Sequence, residues 1–265
     1  NSVLGEAEPL KGLVTVEKVA INAVLAGCKP EYMPVLLAAL EAALTDEFGL
    51  HGLICTTMFG SPMIVVNGPA ARAIGMNSGV NALGQGNRAN ATIGRALQLL
   101  IRNVGGGRPG EIDRATLGNP GKYSFCFAEA EDADWLPLAQ ERGIEAGRSA
   151  VTLFPGEGVQ GIVDQKSRDP ESLARSFALS LRTVDHAKLA MAGDAVLVVS
   201  PEHARVFIEA GWSKQRLREE LEKLLLAPGA ELVAGAGGIA EGIPERFKDQ
   251  QVPKFRPGGL LIVRA

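Results

Sequence analysis

Apolar residues recur three and four positions apart in several segments of the chain, and this spacing predicts amphipathic helices. Gly27 ends the first predicted helix. The residue at which the second helix begins is not determined by the sequence, since Pro30 and Pro34 could each lie in its first turn. One helix is predicted to begin directly after Ser213, because serine is a favoured N-cap residue. The predicted helices cover residues 15–26, 36–44, 90–103, 171–190, a segment from 201 onward, and 213–226.

Short apolar runs bounded by glycine or proline, and runs of alternating apolar and polar residues, predict strands. These strands cover residues 50–55, 63–66, 122–129, 150–154, 195–200, 232–238 and 260–263. Because helices and strands alternate, we expect an α/β protein with a mostly parallel sheet and helices on both faces. The 265 residues suffice for a single domain over residues 1–265 or for two intimate lobes, with residues 155–170 as the candidate boundary.

Composition and charge exclude several classes of function. The net charge is −3 and aromatic residues make up 5 % of the chain, which argues against nucleic-acid binding. No apolar run reaches the length of about 18 residues that a membrane span requires. The three histidines are far apart, so no metal site is predicted, and the sequence names no cofactor.

The cysteines and the two ends of the sequence bear on the cellular compartment of the protein and on the extent of the chain. Three cysteines without CxxC spacing fit a reducing compartment, and with no signal peptide visible we expect a cytoplasmic protein. The chain opens at Asn1 without a methionine and stops within a predicted strand, so we expect truncation at both ends.

The stretch LGQGNRANATIGRA, residues 83–96, combines glycines, polar donors and a cation directly before an apolar helix. A helix start offers unpaired N–H groups and a positive dipole end, which attract anions. Gly84 and Gly86 would let a ligand approach the backbone, and Arg88 would bind a carboxylate or phosphate. Asn90 or Thr92 is expected to cap the helix. Asn87 is a further predicted ligand donor, and the alternative is a glycine-rich turn in which these polar residues serve only as caps.

Further candidate residues lie in three other segments. Arg114, Lys122 and Tyr123 surround a glycine-rich turn and could complete the anion pocket or could be solvated loop residues.

Cys28 lies beside Lys29 and ahead of a predicted helix start. Both would lower the pKa of its thiol, and the alternative is a buried, inert cysteine. Glu157 follows a strand in a loop, where catalytic groups concentrate in α/β proteins, or is merely solvated. Cys55 and Cys126 are predicted to be core residues.

Four blocks of the chain resemble a largely uncharacterised bacterial family. They read AINAVLAGCKPEYMPVLLAALEA, VNALGQGNRANATIGRALQLL, DRATLGNPGKYSFCFAE and SPEHARVFIEAGWSK, and the resemblance spans roughly residues 14–226. It implies an association with small proteins carrying a Sec/Cys-Gly-Ser-Cys motif, hence thiol or selenol chemistry with a partner. Family members carry histidines where this chain has Met58, Gln160 and Gln165, which implies a divergent or impaired member.

These patterns lead to two hypotheses. The first is a cytoplasmic enzyme that acts on a small anionic metabolite, with Cys28 as nucleophile and Glu157 as a second catalytic candidate. The second is a non-catalytic small-molecule-binding subunit of a larger complex. Either could form a homo-oligomer, and neither predicts nucleic-acid or membrane partners.

Overall fold

In a computed structural model of the chain, residues 2–131 and 134–265 are described. The chain divides into two compact units. Unit 1 comprises residues 1–131, 139–159 and 265, and unit 2 comprises residues 132–138 and 160–264.

Unit 1 contains a mixed sheet, a separate hairpin, and helices packed against the sheet. The strands of this unit are β1 (Val3–Ala7), β2 (Gly12–Thr15), β3 (Ser61–Asn67), β4 (Cys126–Ala128) and β5 (Ala150–Gly156). The helices of this part of the chain are α1 (Val16–Ala26), α2 (Met33–Ala43), α3 (Leu50–Cys55), α4 (Pro69–Ala73), α5 (Arg88–Asn103) and the short α6 (Leu138–Glu141), which begins at the last residue of a unit 2 segment. Short 3-10 turns lie at Pro30–Tyr32 and Pro120–Lys122.

The main sheet of unit 1 has the strand order β4-β3-β5, and β1 and β2 form a separate antiparallel hairpin. All seven residues of the central strand β3 are buried, as its apolar run predicts. β3 runs parallel to β4 but antiparallel to β5. The expected mostly parallel sheet is therefore wrong, because strand periodicity reports burial and does not report strand direction.

The core of unit 1 forms around α5. The predicted apolar face of this helix is confirmed, since Ile93, Leu97, Leu100 and Ile101 are all buried. Helices α1 and α2 pack against α5, and their buried residues join the same apolar cluster.

Unit 2 has its own apolar core and two small sheets. Its elements are α7 (Pro170–Leu181), β6 (Gly193–Val199), α8 (Pro201–Glu209), α9 (Lys214–Leu224), β7 (Leu226–Pro228), α10 (Gly229–Leu232), β8 (Gln251–Pro253) and β9 (Phe255–Arg264), with 3-10 turns at Ala236–Gly238 and Glu245–Phe247. β6 pairs with β9 in parallel, and β7 pairs with β8 antiparallel. Ser200 and Ser213 cap α8 and α9 as the sequence predicts.

Two predicted strands are wrong. Residues 50–55 form α3, whose buried residues Leu50 and Ile54 are four positions apart, as on one face of a helix. A six-residue apolar run fits either element, and here the packing of Leu50 and Ile54 in the apolar core of unit 1 selects the helix. Residues 232–238 do not form a strand either, because Gly235, Gly237 and Gly238 have φ values of 84°, 65° and 76°.

Two other predicted elements are shorter than expected. The helix predicted over residues 171–190 ends at Leu181. Beyond it, the buried ammonium of Lys254 donates to the carbonyl oxygens of Val184, His186 and Leu189 at 2.6–2.8 Å, which holds this segment in a non-helical path. The strand predicted over residues 122–129 is confined to β4, since a 3-10 turn occupies its first residue.

Candidate functional site

Asn87 is the N-cap of α5, directly before the first helical residue Arg88. Its backbone is extended (φ −108°, ψ 122°), and its Oδ1 accepts a hydrogen bond from Asn90 N at 3.0 Å. Its Nδ2 donates to Gly75 O at 2.8 Å, so one side chain caps the helix and also fastens the preceding loop. The expectation that Asn90 or Thr92 would be the cap is wrong, because Asn87 is the residue with extended backbone next to the first helical turn.

Asn90 holds the loop before α5 from the inside. Its side chain is 3 % exposed, accepts from Asn77 N at 3.1 Å, and donates to Asn77 O and Ala82 O at 2.9 and 3.1 Å. These contacts use both the oxygen and the nitrogen of the amide, so the Asn90 side chain stabilises the loop and does not face solvent.

Gly84 and Gly86, in the loop before α5, differ in the surroundings that a side chain would meet. At Gly84, a Cβ would lie 2.1 Å from Asn81 Oδ1, so a larger residue would displace the Asn81 amide that donates to Gln85 O. Gly86 has a φ of 110°, which other residues rarely adopt, but its missing Cβ would meet nothing within 4 Å. The backbone at Gly86 is thus the open part of this loop.

Arg88, in the first turn of α5, is held in place by the end of α1. Its Nε donates to Gly27 O at 2.9 Å, and Thr92 Oγ1 donates to Arg88 O at 2.8 Å. Residues 88, 92 and 95 share one face of the helix, which adds the half-buried Arg95 to this stripe. Within the described ranges, neither Arg88 nor Arg95 forms an ion pair with a carboxylate.

Cys28 lies directly after the left-handed C-cap Gly27 of α1 and beside the same stripe. Its N–H donates to Ala23 O at 2.9 Å, and its half-buried side chain packs against the core of unit 1. Burial raises the pKa of the Cys28 thiol, while a hydrogen bond with Thr92 and the charge of Arg88 act in the opposite direction. We refer to Cys28, Arg88, Thr92 and Arg95 together as the Arg88 site.

The expectation that the Cys28 thiol has a lowered pKa is therefore wrong. The chain after Cys28 forms a 3-10 turn over Pro30–Tyr32, and α2 itself begins only at Met33. Lys29 lies 3.8 Å from Glu31 on the surface, which offsets the charge expected to act on the thiol. Desolvation outweighs the remaining favourable contacts.

The other two cysteines differ from each other. Cys126 is buried in β4, as predicted, and burial raises the pKa of its thiol, with Cys28 adding to the rise. Cys55, which is also predicted to be a core residue, is only partly buried at the end of α3.

Of the residues predicted to complete the anion pocket, Lys122 does not supply an unpaired charge. Lys122 Nζ lies 2.8 and 2.6 Å from the two carboxylate oxygens of Asp113, and both side chains are mostly buried, so this pair neutralises itself. Tyr123 is 74 % exposed. Arg114 is exposed and makes no side-chain hydrogen bond or ion pair with the described residues.

Ser124, which sequence reasoning missed, connects the loop before β4 to α5. Its Oγ donates to Ala91 O at 2.7 Å, so the Tyr123–Ser124 segment runs beside the first turns of that helix. Glu157 follows Gly156, the last residue of β5, which pairs with Ser61 at the start of β3. It is partly buried there.

Sequence reasoning also missed a group of polar residues where β3 and β4 end. Asn67 Nδ2 donates to Glu129 Oε2 at 2.8 Å and to Glu131 Oε1 at 2.9 Å. Gly68 N donates to Glu131 Oε1 at 2.8 Å, and Arg72 NH1 contacts Glu131 Oε2 at 3.0 Å. We refer to Asn67, Arg72, Glu129 and Glu131 as the Asn67 cluster. Its sequence signal is weak, namely one polar residue at the end of the buried run of β3 and another directly after β4.

No histidine hydrogen-bonds to Cys28 among the residues that the structure describes. His51 Nδ1 lies 3.2 Å from Glu8 Oε2, and His203 Nε2 donates to Asp164 O at 2.8 Å. Ser167 and Ser176 hydrogen-bond to the Asp164 carboxylate and lower its pKa. Neither arrangement places a base beside the thiol.

Comparisons with protein-family models, with curated proteins and with solved structures found no match. The resemblance to a bacterial family therefore stays a prediction. Over residues 2–131 and 134–265, no helix is both long and apolar enough to cross a bilayer. In the same ranges, no three His, Cys, Asp or Glu side chains are grouped so that they alone could hold a metal ion.

Proposed function

We propose that the protein binds a small anionic molecule at the Arg88 site. The observation that carries this proposal is the guanidinium of Arg88, which Gly27 O holds in place beside Cys28 without a described carboxylate to neutralise it. Arginine presents several N–H donors in a planar fork that matches a carboxylate or phosphate.

The start of α5 supports the same ligand charge. The N–H groups of Asn90 and Ala91 donate to Asn87, whereas those of Arg88 and Ala89 find no acceptor among the described residues. A 16-residue helix also presents a positive dipole end at this position. Arg95 adds a second positive charge on the same face of the helix.

Thiol catalysis by Cys28 is the second candidate function. It is favoured by Thr92 and Arg88, which both lower the pKa of the thiol. Against it, burial is the largest influence and raises that pKa, and no described histidine contacts the thiol. We therefore place anion binding first. As its extension we propose nucleophilic attack by the Cys28 thiolate, either on an electrophilic carbon of the bound anion or on the disulfide or selenenylsulfide of a small partner protein, which leaves a mixed disulfide on Cys28 and releases the partner's thiolate or selenolate.

Calorimetric titration with inorganic phosphate and a panel of small carboxylates tests the binding proposal. We expect one of these anions to bind, and Arg88→Ala to weaken its binding about 10- to 100-fold, as for the loss of a charge-assisted hydrogen bond. Arg102→Ala is the matched control, because Arg102 is an exposed arginine in the last turn of the same helix. Equal affinity for the wild type and Arg88→Ala would refute the proposed site.

Titration of Cys28→Ser separates the two candidate functions. A binding site in which the thiol has no chemical role should keep its affinity for the anion and show no turnover in either form. Consumption of a bound electrophilic carboxylate by the wild type, lost in Cys28→Ser at unchanged affinity, would instead establish the thiol enzyme.

A further inference from the structure

Helix α1 exposes apolar side chains and buries a polar one. Ile21, Val24 and Leu25 are 51, 75 and 66 % exposed, and they lie three and four positions apart on the solvent-facing side of the helix. Asn22 is the only polar residue among positions 19–26, yet it is 4 % exposed and accepts a hydrogen bond from Asn103 Nδ2 at 2.8 Å. A surface helix normally has the opposite arrangement, so the outer face of α1 resembles one that another surface covers.

The solvent-facing side of α5 carries a row of arginines. Arg88, Arg95 and Arg102 are seven positions apart, which places them nearly in line along the helix, opposite its buried residues. α5 contains no Asp or Glu, and Glu17 is the only carboxylate of α1. Within the ranges that the structure describes, none of the three arginines forms an ion pair. The row is therefore positively charged over a length of about 21 Å, at 1.5 Å per residue.

The exposed faces of α1 and α5 are adjacent. The two helices pack against each other and run antiparallel, since Arg88 Nε at the start of α5 donates to Gly27 O at the end of α1. At their other ends, a Cβ on Gly12, in the strand that leads into α1, would lie 1.9 Å from Val104 O, directly after α5. The apolar side chains of α1 therefore lie beside the arginine row. We refer to Ile21, Val24, Leu25, Arg88, Arg95 and Arg102 together as the α1–α5 surface.

We propose that the α1–α5 surface binds an amphipathic α-helix of a partner protein. The apolar residues of that helix cover the exposed side chains of α1, and its carboxylates lie opposite the arginine row. Helices that pack side by side repeat their contacts every seven residues, and charged residues that flank the apolar contact form ion pairs at the same spacing. The distance from Arg88 to Arg102 requires a partner helix of at least about 15 residues, with Asp or Glu at intervals of seven.

Two other occupants fit this surface less well. A second copy of the chain would need a self-complementary surface, but α1 and α5 together offer a row of cations and the single carboxylate of Glu17. Helices that lie on membranes commonly insert tryptophan or phenylalanine beside their cations, and neither α1 nor α5 contains an aromatic residue. Charge and composition therefore favour an acidic helix.

Fluorescence anisotropy with two synthetic helical peptides and the full chain tests this proposal. Both peptides contain about three heptads with leucine at the same apolar positions. The acidic peptide carries glutamate at the positions that flank the leucines, and the basic peptide carries lysine there. We expect the acidic peptide to bind at least about tenfold more tightly than the basic one, and its affinity to fall as salt is added.

Substitutions at exposed positions assign the binding to the surface. Val24→Ser removes apolar contact area and should weaken binding of the acidic peptide about tenfold. Arg102→Glu reverses one charge of the row, so it should weaken the acidic peptide and strengthen the basic one. Leu179→Ser and Arg175→Glu are the matched controls, since both residues are exposed on α7, and they should leave both affinities unchanged.

Four results would overturn the proposal. Equal affinity for the two peptides is the first, and affinities that Val24→Ser and Arg102→Glu leave unchanged are the second. Binding to phosphatidylglycerol–phosphatidylcholine vesicles without binding of the acidic peptide would assign the surface to a membrane. Dimerisation in sedimentation equilibrium that Val24→Ser abolishes would assign it to a second copy of the chain.

These tests are separate from that of the Arg88 site. Val24 is an apolar residue outside that site, and Arg102 lies about 21 Å from Arg88 along α5, too far to contact the same small anion. Failure of either proposal therefore leaves the other standing.

Discussion

The thiol of Cys28 is subject to three influences that act in opposite directions. Burial raises its pKa, and Thr92 and Arg88 lower it, with burial the largest of the three. Neighbours in sequence, such as Lys29, have little effect because that ammonium lies near Glu31 on the surface. Apart from burial, the pKa of this thiol is therefore set by residues of α5, which lie 60 or more positions away along the chain.

Alkylation of Cys28 with iodoacetamide as a function of pH measures this balance. Only the thiolate reacts, so we expect the rate at neutral pH to be below that of an unperturbed cysteine and to rise steeply in the alkaline range. Thr92→Val keeps the shape but removes the hydroxyl that lowers the pKa, so it should shift the profile to still higher pH. Peptide mapping by mass spectrometry separates Cys28 from Cys55 and Cys126, and a profile with its midpoint below that of free cysteine would contradict this prediction.

The same pKa shift has a consequence for stability. The folded protein binds the Cys28 proton more tightly than the unfolded chain does. The unfolded state therefore holds fewer protons in the alkaline range, and the contribution of this group to the free energy of unfolding falls as the pH rises from the unfolded pKa toward the folded one.

At the scale of the element, α5 connects most features of unit 1. Its first two turns carry Arg88 and Thr92, and its buried face fills the core. Asn87 and Asn90 fasten its start to the preceding loop. The asparagines that resemble ligand donors in the sequence serve mainly to fix this loop. Among the described residues, the guanidinium groups of Arg88 and Arg95 in the stripe have no carboxylate partner.

The double role of Asn87 gives a prediction for the stability of α5. Asn87→Ala should lower the free energy of unfolding by about 1–3 kcal/mol, because it removes both the cap and the bond to Gly75 O. Asn87→Asp keeps the capping oxygen but loses the donor, so its loss should be clearly smaller. Urea denaturation followed by circular dichroism measures both, and equal losses would show that the cap contributes nothing.

At the scale of the whole molecule, the chain builds separate apolar cores in its two units. The first surrounds α5, and the second surrounds Phe177 and Phe207. Both tryptophans of the chain lie in the second core, with the ring centroids of Trp135 and Trp212 at 6.3 and 5.8 Å from that of Phe207. Tryptophan emission therefore reports on the environment in unit 2.

This distribution of tryptophans distinguishes core substitutions in the two units. Leu97→Ala and Leu217→Ala each remove a fully buried leucine, and we expect each to cost about 2–5 kcal/mol of stability. Only Leu217→Ala should alter the tryptophan emission of the native protein, since Leu217 belongs to the core that contains both rings. A comparable change of native emission in Leu97→Ala would contradict the assignment of the cores.

Local pattern was sufficient for the long, strongly periodic elements and for several of their ends. The apolar face of α5, the buried strand β3, the glycine that ends α1 and the serine caps of α8 and α9 all follow from spacing and residue type. In each case the physical cause lies within a few residues of the element, so the sequence contains it in readable form.

Only the tertiary structure decided the features that depend on distant residues. Strand directions, the helix at residues 50–55, the pairing of Lys122 with Asp113, the raised pKa of Cys28 and the joining of Asn67 with Glu129 and Glu131 belong to this group. Each arises from side chains that folding brings together or removes from water. The sequence by itself therefore determined which residue types are present and which faces are apolar, whereas the fold determined which charges a neighbouring side chain neutralises.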